Sequence, residues 1–171
     1  MWDAMSTPQF LHASTHEQKI KKVVTMSTLT IIELVSEEEI MKAFPVMKQL
    51  RTHLDESTYL ELVHEAQEKD CYKMYALFDK NEIVAVTGFK PMITLYYGRF
   101  VWVCDLVTDM NKRSNGFGER LLKYVQDWAK ANNYEKVALS SGLQRTDAHR
   151  FYEEKMNYDK VSFVFKTEVP S

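Results

Sequence analysis

Arg113-Ser114-Asn115-Gly116-Phe117-Gly118 stands between an apolar run, Phe100 to Val107, and an amphipathic run that ends near Asn133. The pattern predicts a strand, a short turn, and a helix whose first turn holds two glycines. The first backbone N–H groups of a helix have no intrahelical partner and carry partial positive charge, so they attract anions. A glycine there lets a ligand approach the backbone, because no Cβ intervenes. Inside a helix, a glycine costs roughly 1 kcal/mol against alanine. The chain has only five glycines, and two of them sit here. A phosphate-bearing ligand explains that placement.

Working outward, Phe100 to Val107 is the most hydrophobic strand and is expected near the middle of a sheet. The helix after it, Asn115 to Asn132, carries Phe117, Leu121, Leu122, Val125, Trp128 and Ala129 on one face. Val137 to Ser140 is the next strand, reached by a crossover, so the two strands should be parallel. Ser141 to Thr146 is a polar loop, Asp147 to Lys155 a short helix, and Val161 to Val169 the last strand.

Upstream, Thr28 to Val35 is β-branched and apolar, a first strand. Ser36 and Glu39 form a capping-box signature for a helix from Glu37 to about His53, which Pro45 should kink or break. Asp55 to Lys69 is a second helix. Tyr72 to Phe78 and Ile83 to Phe89 are strands joined by the turn Asp79 to Glu82. Pro91 to Gly98 reads as a less regular, tyrosine-rich connection. The order β-α-α-β-β-β-α-β-α-β is a mixed α/β domain.

The 171 residues suit one domain with a sizeable core. A net charge of −2 argues against a nucleic-acid partner, which needs a basic face. No apolar run approaches the ~20 residues of a membrane helix. Cys71 and Cys104 are far apart and read as reduced thiols of a cytoplasmic protein, with a disulfide between them the alternative. Residues 1–27 are polar, without a sustained apolar period or a signal-peptide pattern, and read as an extension before a core domain spanning 28–171. On that reading Met26 lies near a natural start; alternatively, Gln18 to Val24 forms a short helix that docks on a partner.

With these pieces placed, the chain resembles the GCN5-related N-acetyltransferases. Their motif Arg/Gln-x-x-Gly-x-Gly/Ala stands here as Arg113 to Gly118, and their Ala-x-x-Phe-Tyr helix as Ala148-His149-Arg150-Phe151-Tyr152. The element order agrees over about Leu29 to Val169. One departure is Asn157-Tyr158, where many relatives carry Gly-Phe or Gly-Tyr; asparagine tolerates left-handed backbone. The resemblance implies a sheet in which Phe100 to Val107 splays from Val137 to Ser140. Acetyl-CoA would lie in that gap, its pantetheine arm along Leu106 and Val107. Lys112, Arg113, Ser114, Asn115, Gly116, Phe117, Gly118 and Glu119 would surround its phosphates, and Phe151 would meet the arm. It implies direct acetyl transfer to a primary amine of a small molecule or peptide, with no metal, by a monomer or homodimer. A non-catalytic acyl-CoA-binding regulatory module on the same fold is the alternative. A dinucleotide-binding domain is disfavoured, because Gly-x-Gly-x-x-Gly is absent.

Attack on a thioester needs a neutral amine, and a lysine-like amine has a pKa of ~10.4. Asp105, inside an apolar strand, is the candidate base or acceptor-orienting group; otherwise it is a structural carboxylate that bonds a loop or a hydroxyl. Tyr152 is the candidate acid for the leaving thiolate; otherwise its hydroxyl only bonds the cosubstrate. His149 reads as a loop-bonding histidine. A backbone N–H near Val107 would hold the oxyanion. His53, Tyr59 and Tyr97 are the candidate acceptor contacts, from a set that also offers Arg51, Asp55, Tyr96, Arg99 and Arg145.

Overall fold

Five strands form one mixed sheet in the computed structural model of the chain, which describes residues 29–170. The expected extension and the Gln18 to Val24 helix lie outside the described residues. Strand β1 is Leu29–Glu33, α1 Glu37–Met47, α2 Glu56–Asp70, β2 Lys73–Asp79, β3 Glu82–Thr94 and β4 Gly98–Thr108. A 3₁₀ turn, Met110–Lys112, precedes α3, Phe117–Ala131; β5 is Lys136–Leu139 and α4 Thr146–Arg150, prolonged by a π turn over Phe151–Lys155. The sheet order is β1-β2-β3-β4-β5. Strands β1 to β4 are antiparallel neighbours, and β5 joins β4 in parallel. The parallel pair follows from the α3 crossover, as its sequence pattern required.

Side chains alternate across a strand, so the apolar run Met74-Tyr75-Ala76-Leu77 serves two faces. Met74 and Ala76 pack with Ile40, Ala43, Met47, Tyr59 and Val63 of α1 and α2. Tyr75 and Leu77 face the α3 side, where Leu121, Leu122, Val125 and Ala129 are buried. Helices cover both faces, and the strand can therefore be apolar throughout.

Local chemistry sets the helix ends. Ser36 Oγ accepts from the Glu39 N–H and the Glu39 carboxylate from the Ser36 N–H, the expected capping box. Asp55 caps α2. Helix α1 stops at Met47, short of His53, and its last turn begins with Pro45, which lacks a donor. The chain then tightens, with the Leu50 and Arg51 N–H groups both on Met47 O. Residues 91–94, expected to be irregular, instead continue β3. Pro91 pairs with Val101 of β4, while β2 has already run out opposite Phe89. One flank of β3 is an edge there, so a missing N–H costs nothing.

The expected last strand does not form. Val161 to Val169 carries the alternating pattern but has no helix or strand assigned and is exposed throughout. Alternation decides which side chains share a face; a strand also needs a ladder partner, and none of the described strands pairs with it.

Burial raises the pKa of the Tyr59, Tyr72 and Tyr75 phenols, pushes Tyr158 up to about 12, and pushes the Cys104 thiol up to about 11. These groups are neutral when protonated, and the folded chain favours that form. Their contribution is complete below the ordinary values of 9.0 and 10.0 and is lost as pH climbs through the folded ones. Urea midpoints should hold steady from about pH 7 to 8.5 and fall progressively above about pH 9. A flat profile to pH 11 would contradict this.

Candidate active site

The β4–β5 pairing runs from Phe100 opposite Lys136 to Val103 opposite Leu139, and there it ends. Strand β4 continues through Cys104 to Thr108, still paired with β3 on its other side. Among the described residues no strand takes β5's place beside this stretch, so that flank of β4 has no ladder partner from Cys104 onward. A bulge accompanies the divergence. Gly88 faces Asp105 and Phe89 faces Val103, which leaves Cys104 as the extra residue. Such an insertion bends a strand and increases its twist.

Beyond this stretch β4 ends at Thr108, and a 3₁₀ turn carries the chain to the N-terminus of α3. Gly116 is the N-cap, at φ 75°, and no side chain caps this end. Ser114 also has a positive φ, 65°, and the Asn115 side-chain amide donates to Lys112 O and Arg113 O at 2.9 and 3.2 Å, holding the loop. The two glycines serve different ends. Gly116 supplies a left-handed backbone with open space around it. At Gly118 a Cβ would lie 3.3 Å from Thr108 Oγ1 and 3.9 Å from Phe151 Cζ, where β4, α3 and the π turn converge. Beside the loop is a groove of about 500 Å³ lined by Asn115, Gly116, Glu119, Arg120 and Lys123. Lys112 is turned away into an ion pair with Glu82 at 3.0 Å. Arg113, Arg120 and Lys123 form no ion pair among the described residues.

Asp105 sits at the mouth of the divergence with both oxygens occupied. Arg51 donates from Nε to Oδ1 at 2.8 Å, and Tyr72 Oη donates to Oδ2 at 2.8 Å. Arg51 Nη2 also donates to Cys104 O at 2.8 Å, and Thr87 Oγ1 to Asp105 O at 2.9 Å. The Asp105 side chain is 14% exposed, that of Arg51 40%. The network ties the bulge to the segment between α1 and α2. Gln49 adds to the tie: it accepts from the Met110 N–H at 2.8 Å. Tyr72 reaches Asp105 only because residue 88 is glycine; a Cβ there would lie 1.7 Å from Tyr72 Oη. Arg51 was legible only as one of several polar groups, and Tyr72 and Gly88 were missed. A lone glycine in an apolar strand does signal a close approach or a bulge.

Across the cleft, Tyr152 is half-buried against Phe151 and Tyr158, with ring centroids at 5.2 and 6.1 Å. Burial raises its pKa, and the charge of Arg145 pulls it part of the way back. Nearby, Ser141 Oγ is buried without a hydrogen-bond partner. His149 Nε2 lies 2.9 Å from Gly142 O, the loop-bonding role expected of it. Asn157 takes φ 56°, a left-handed conformation that asparagine tolerates.

The acceptor candidates are not brought together. Tyr59 is a core residue, 2% exposed, whose hydroxyl donates to Ile40 O at 3.0 Å. Its spacing on the helix matched the apolar face, and burial follows from that. Tyr97, in the turn before β4, packs on Phe100, which is about 17 Å along the strand from Asp105 at ~3.4 Å per residue. His53 is exposed, two residues past Arg51. No group of three or more His, Cys, Asp or Glu able to hold a metal occurs among the described residues. Cys71 and Cys104 are both free thiols.

A model of the Acetyltransferase (GNAT) family matches residues 37–158. The uncharacterized N-acetyltransferase YhdJ of Bacillus subtilis (strain 168) is 42% identical over 137 residues, 80% of this chain and 96% of that protein. A transcriptional regulator from Bacillus halodurans C-125 superposes with a TM-score of 0.70 at 20% identity, covering 82% of this chain and 99% of that one. An aminoglycoside 6'-N-acetyltransferase from Acinetobacter baumannii gives 0.70 at 13% identity, covering 84% and 99%. At such identities the two structures speak to the fold alone.

Removing the fork on Asp105 tests the network. Arg51→Ala should lower unfolding free energy by about 1–2 kcal/mol, discounted for the partial exposure of the pair. Arg51→Lys should restore little, because an ammonium cannot span Asp105 and Cys104 O as a guanidinium does. Gly88→Ala should cost roughly 1–3 kcal/mol through overpacking against Tyr72. Urea titration measures all three; a Gly88→Ala chain as stable as the parent would refute the close approach.

Proposed function

The chain belongs to the GNAT acetyltransferase family, and from that membership and the shape of the cleft we propose that it transfers the acetyl group of acetyl-CoA directly to a primary amine. One observation carries the reading: the β4 edge freed beyond Val103 leads to an uncapped, glycine-lined helix N-terminus. The two features suit the two ends of one ligand. An extended amide-bearing arm can bond to an open strand edge, and a pyrophosphate to the N–H groups of a helix start. The buried, unpartnered Ser141 Oγ offers the arm a further polar contact.

In this reading Leu106 and Val107 present backbone to the arm. Ser114 to Glu119 receive the phosphates, with Arg113 and Arg120 free to pair with them, while Lys112 is already engaged by Glu82. The amine nitrogen attacks the thioester carbonyl, the carbon–sulfur bond breaks, the amine's proton passes to solvent, and the thiolate takes a proton from Tyr152. A phenol with a raised pKa stays protonated through the neutral range and so remains a donor. Asp105 is assigned the positioning half of its expected role. Both oxygens already accept hydrogen bonds, so it holds Arg51 and the segment carrying His53 against β4. The acceptor is a small-molecule or peptide amine reaching the cleft past that segment.

Two measurements test this. Calorimetry should show acetyl-CoA binding that Gly118→Val weakens, since a larger side chain there crowds Thr108 and Phe151. Tyr152→Phe should lower turnover about 10²-fold or more with cofactor affinity changed less than about twofold. Turnover is followed as free CoA released across an amine panel. No binding at high micromolar acetyl-CoA would refute the assignment. Binding without CoA release on any amine would make the chain a binding module instead.

A further inference from the structure

Gln49, half-buried in the segment after α1, grips the turn that leads into the α3 loop at two points. Its Oε1 accepts from the Met110 N–H at 2.8 Å, and its Nε2 donates to Asp109 Oδ2 at 3.4 Å. The partners fix the orientation of the amide, since a backbone N–H can only donate and a carboxylate only accept. The first N–H groups of a helical turn have no partner within it. Here Gln49 takes that of Met110, Asp109 Oδ1 that of Asn111 at 2.8 Å, and Asp109 O that of Lys112 at 2.9 Å. Asn115 then binds Lys112 O and Arg113 O, so the hold extends to the residue before the N-cap Gly116.

Packing does not do this work. Residues 110–116 carry no buried side chain, and all but Lys112 are exposed. The Lys112–Glu82 ion pair joins side chains 42% and 71% exposed, and pairs of that kind hold little. Gln49 reaches the turn from the same tight segment that carries Arg51, where the Gln49 N–H goes to Val46 O and the Leu50 and Arg51 N–H groups to Met47 O. Arg51 holds Cys104 O and Asp105, just past the end of the β5 ladder, and Gln49 holds Asp109 and Met110. Between the two grips lie Leu106, Val107 and Thr108 of β4.

We propose that Gln49 is a positioning residue for acetyl-CoA: it sets the phosphate loop against the β4 edge, so that both ends of the ligand meet partners already in place. The inference rests on the acetyl-CoA reading above. A loop ordered before binding spares the complex the cost of ordering it.

A polarity swap tests this. Gln49→Glu keeps an oxygen for the Met110 N–H but sets a carboxylate against that of Asp109. Asp109→Asn keeps Oδ1 for the Asn111 N–H but sets its amide N–H against Gln49 Nε2. Gln49→Glu/Asp109→Asn restores a donor facing an acceptor, reversed in direction, with the net charge of the parent. By calorimetry each single variant should bind acetyl-CoA about fivefold more weakly or worse, and the double should return to within about twofold of the parent. Charge alone gives a different pattern, because removing a carboxylate near an anionic ligand tightens binding. Urea midpoints of the unliganded chains should fall in both singles and recover in the double, which reads the tie without the ligand. Singles that bind like the parent, an Asp109→Asn chain that binds more tightly, or a double that stays weak would each overturn the proposal. Midpoints that recover while affinities never move sink this proposal alone; a parent that binds no acetyl-CoA sinks the cofactor reading and this proposal with it.

Discussion

Backbone pairing along β4 is the constraint on which the remaining features depend. Each residue of a strand carries a donor and an acceptor, and buried ones must find partners. Up to Val103 those on one side of β4 go to β5; from Cys104 onward they do not. A strand in mid-sheet with a half-open edge would close up unless something bends it away and keeps it bent. The extra residue at Cys104 bends it. Arg51, Tyr72 and Thr87 then fasten the bent stretch, through Asp105 and Cys104 O, to the α1–α2 segment, to β2's N-terminal flank and to β3. From its place in an apolar strand Asp105 reads as a candidate base or acceptor-orienting group. Its partners are Arg51 and Tyr72, bonds that suit a positioning role and also the structural alternative raised for it from sequence.

The same divergence explains why the glycines fall where they do. Gly88 makes room for Tyr72 to reach the bulge, Gly118 for the approach of β4 and the π turn, and Gly116 turns the chain into α3 with its N–H groups uncovered. Each marks a place where backbone or a side chain comes closer than a Cβ permits. In a chain so poor in glycine, these positions map the cleft more directly than the charged residues do. Lys112, though adjacent to the motif, faces Glu82.

Most elements were legible because their signals are local. A capping box, an amphipathic period and a turn of Asp, Lys and Asn need only neighbours in sequence, and α1, α3 and the β2–β3 hairpin follow them. The failures share a different cause. Pro91 to Gly98 was read as a less regular connection, yet Pro91 continues β3 because β2 ends two residues earlier, a fact about another segment. Tyr59 was listed among the polar and aromatic groups available to the acceptor, yet its hydroxyl finds Ile40 O in the core. Arg51 and Asp105 are 54 residues apart, and nothing in either stretch announces the pair.

Val161 to Val169 carries the strongest such lesson. Its alternation is as regular as that of any strand that forms, so pattern alone predicted a strand. What the pattern omits is the identity of the edge, and among the described residues no ladder joins the segment to β5, the outer strand whose residues line the same groove. The accounting that governs β4 applies here in mirror image. On the inner side, edge groups are freed by a bulge and suit a small extended ligand. On the outer side, among the described residues, β5 meets no further strand, so the four-residue strand that ends the β4 ladder on the inner side is itself the end of the sheet.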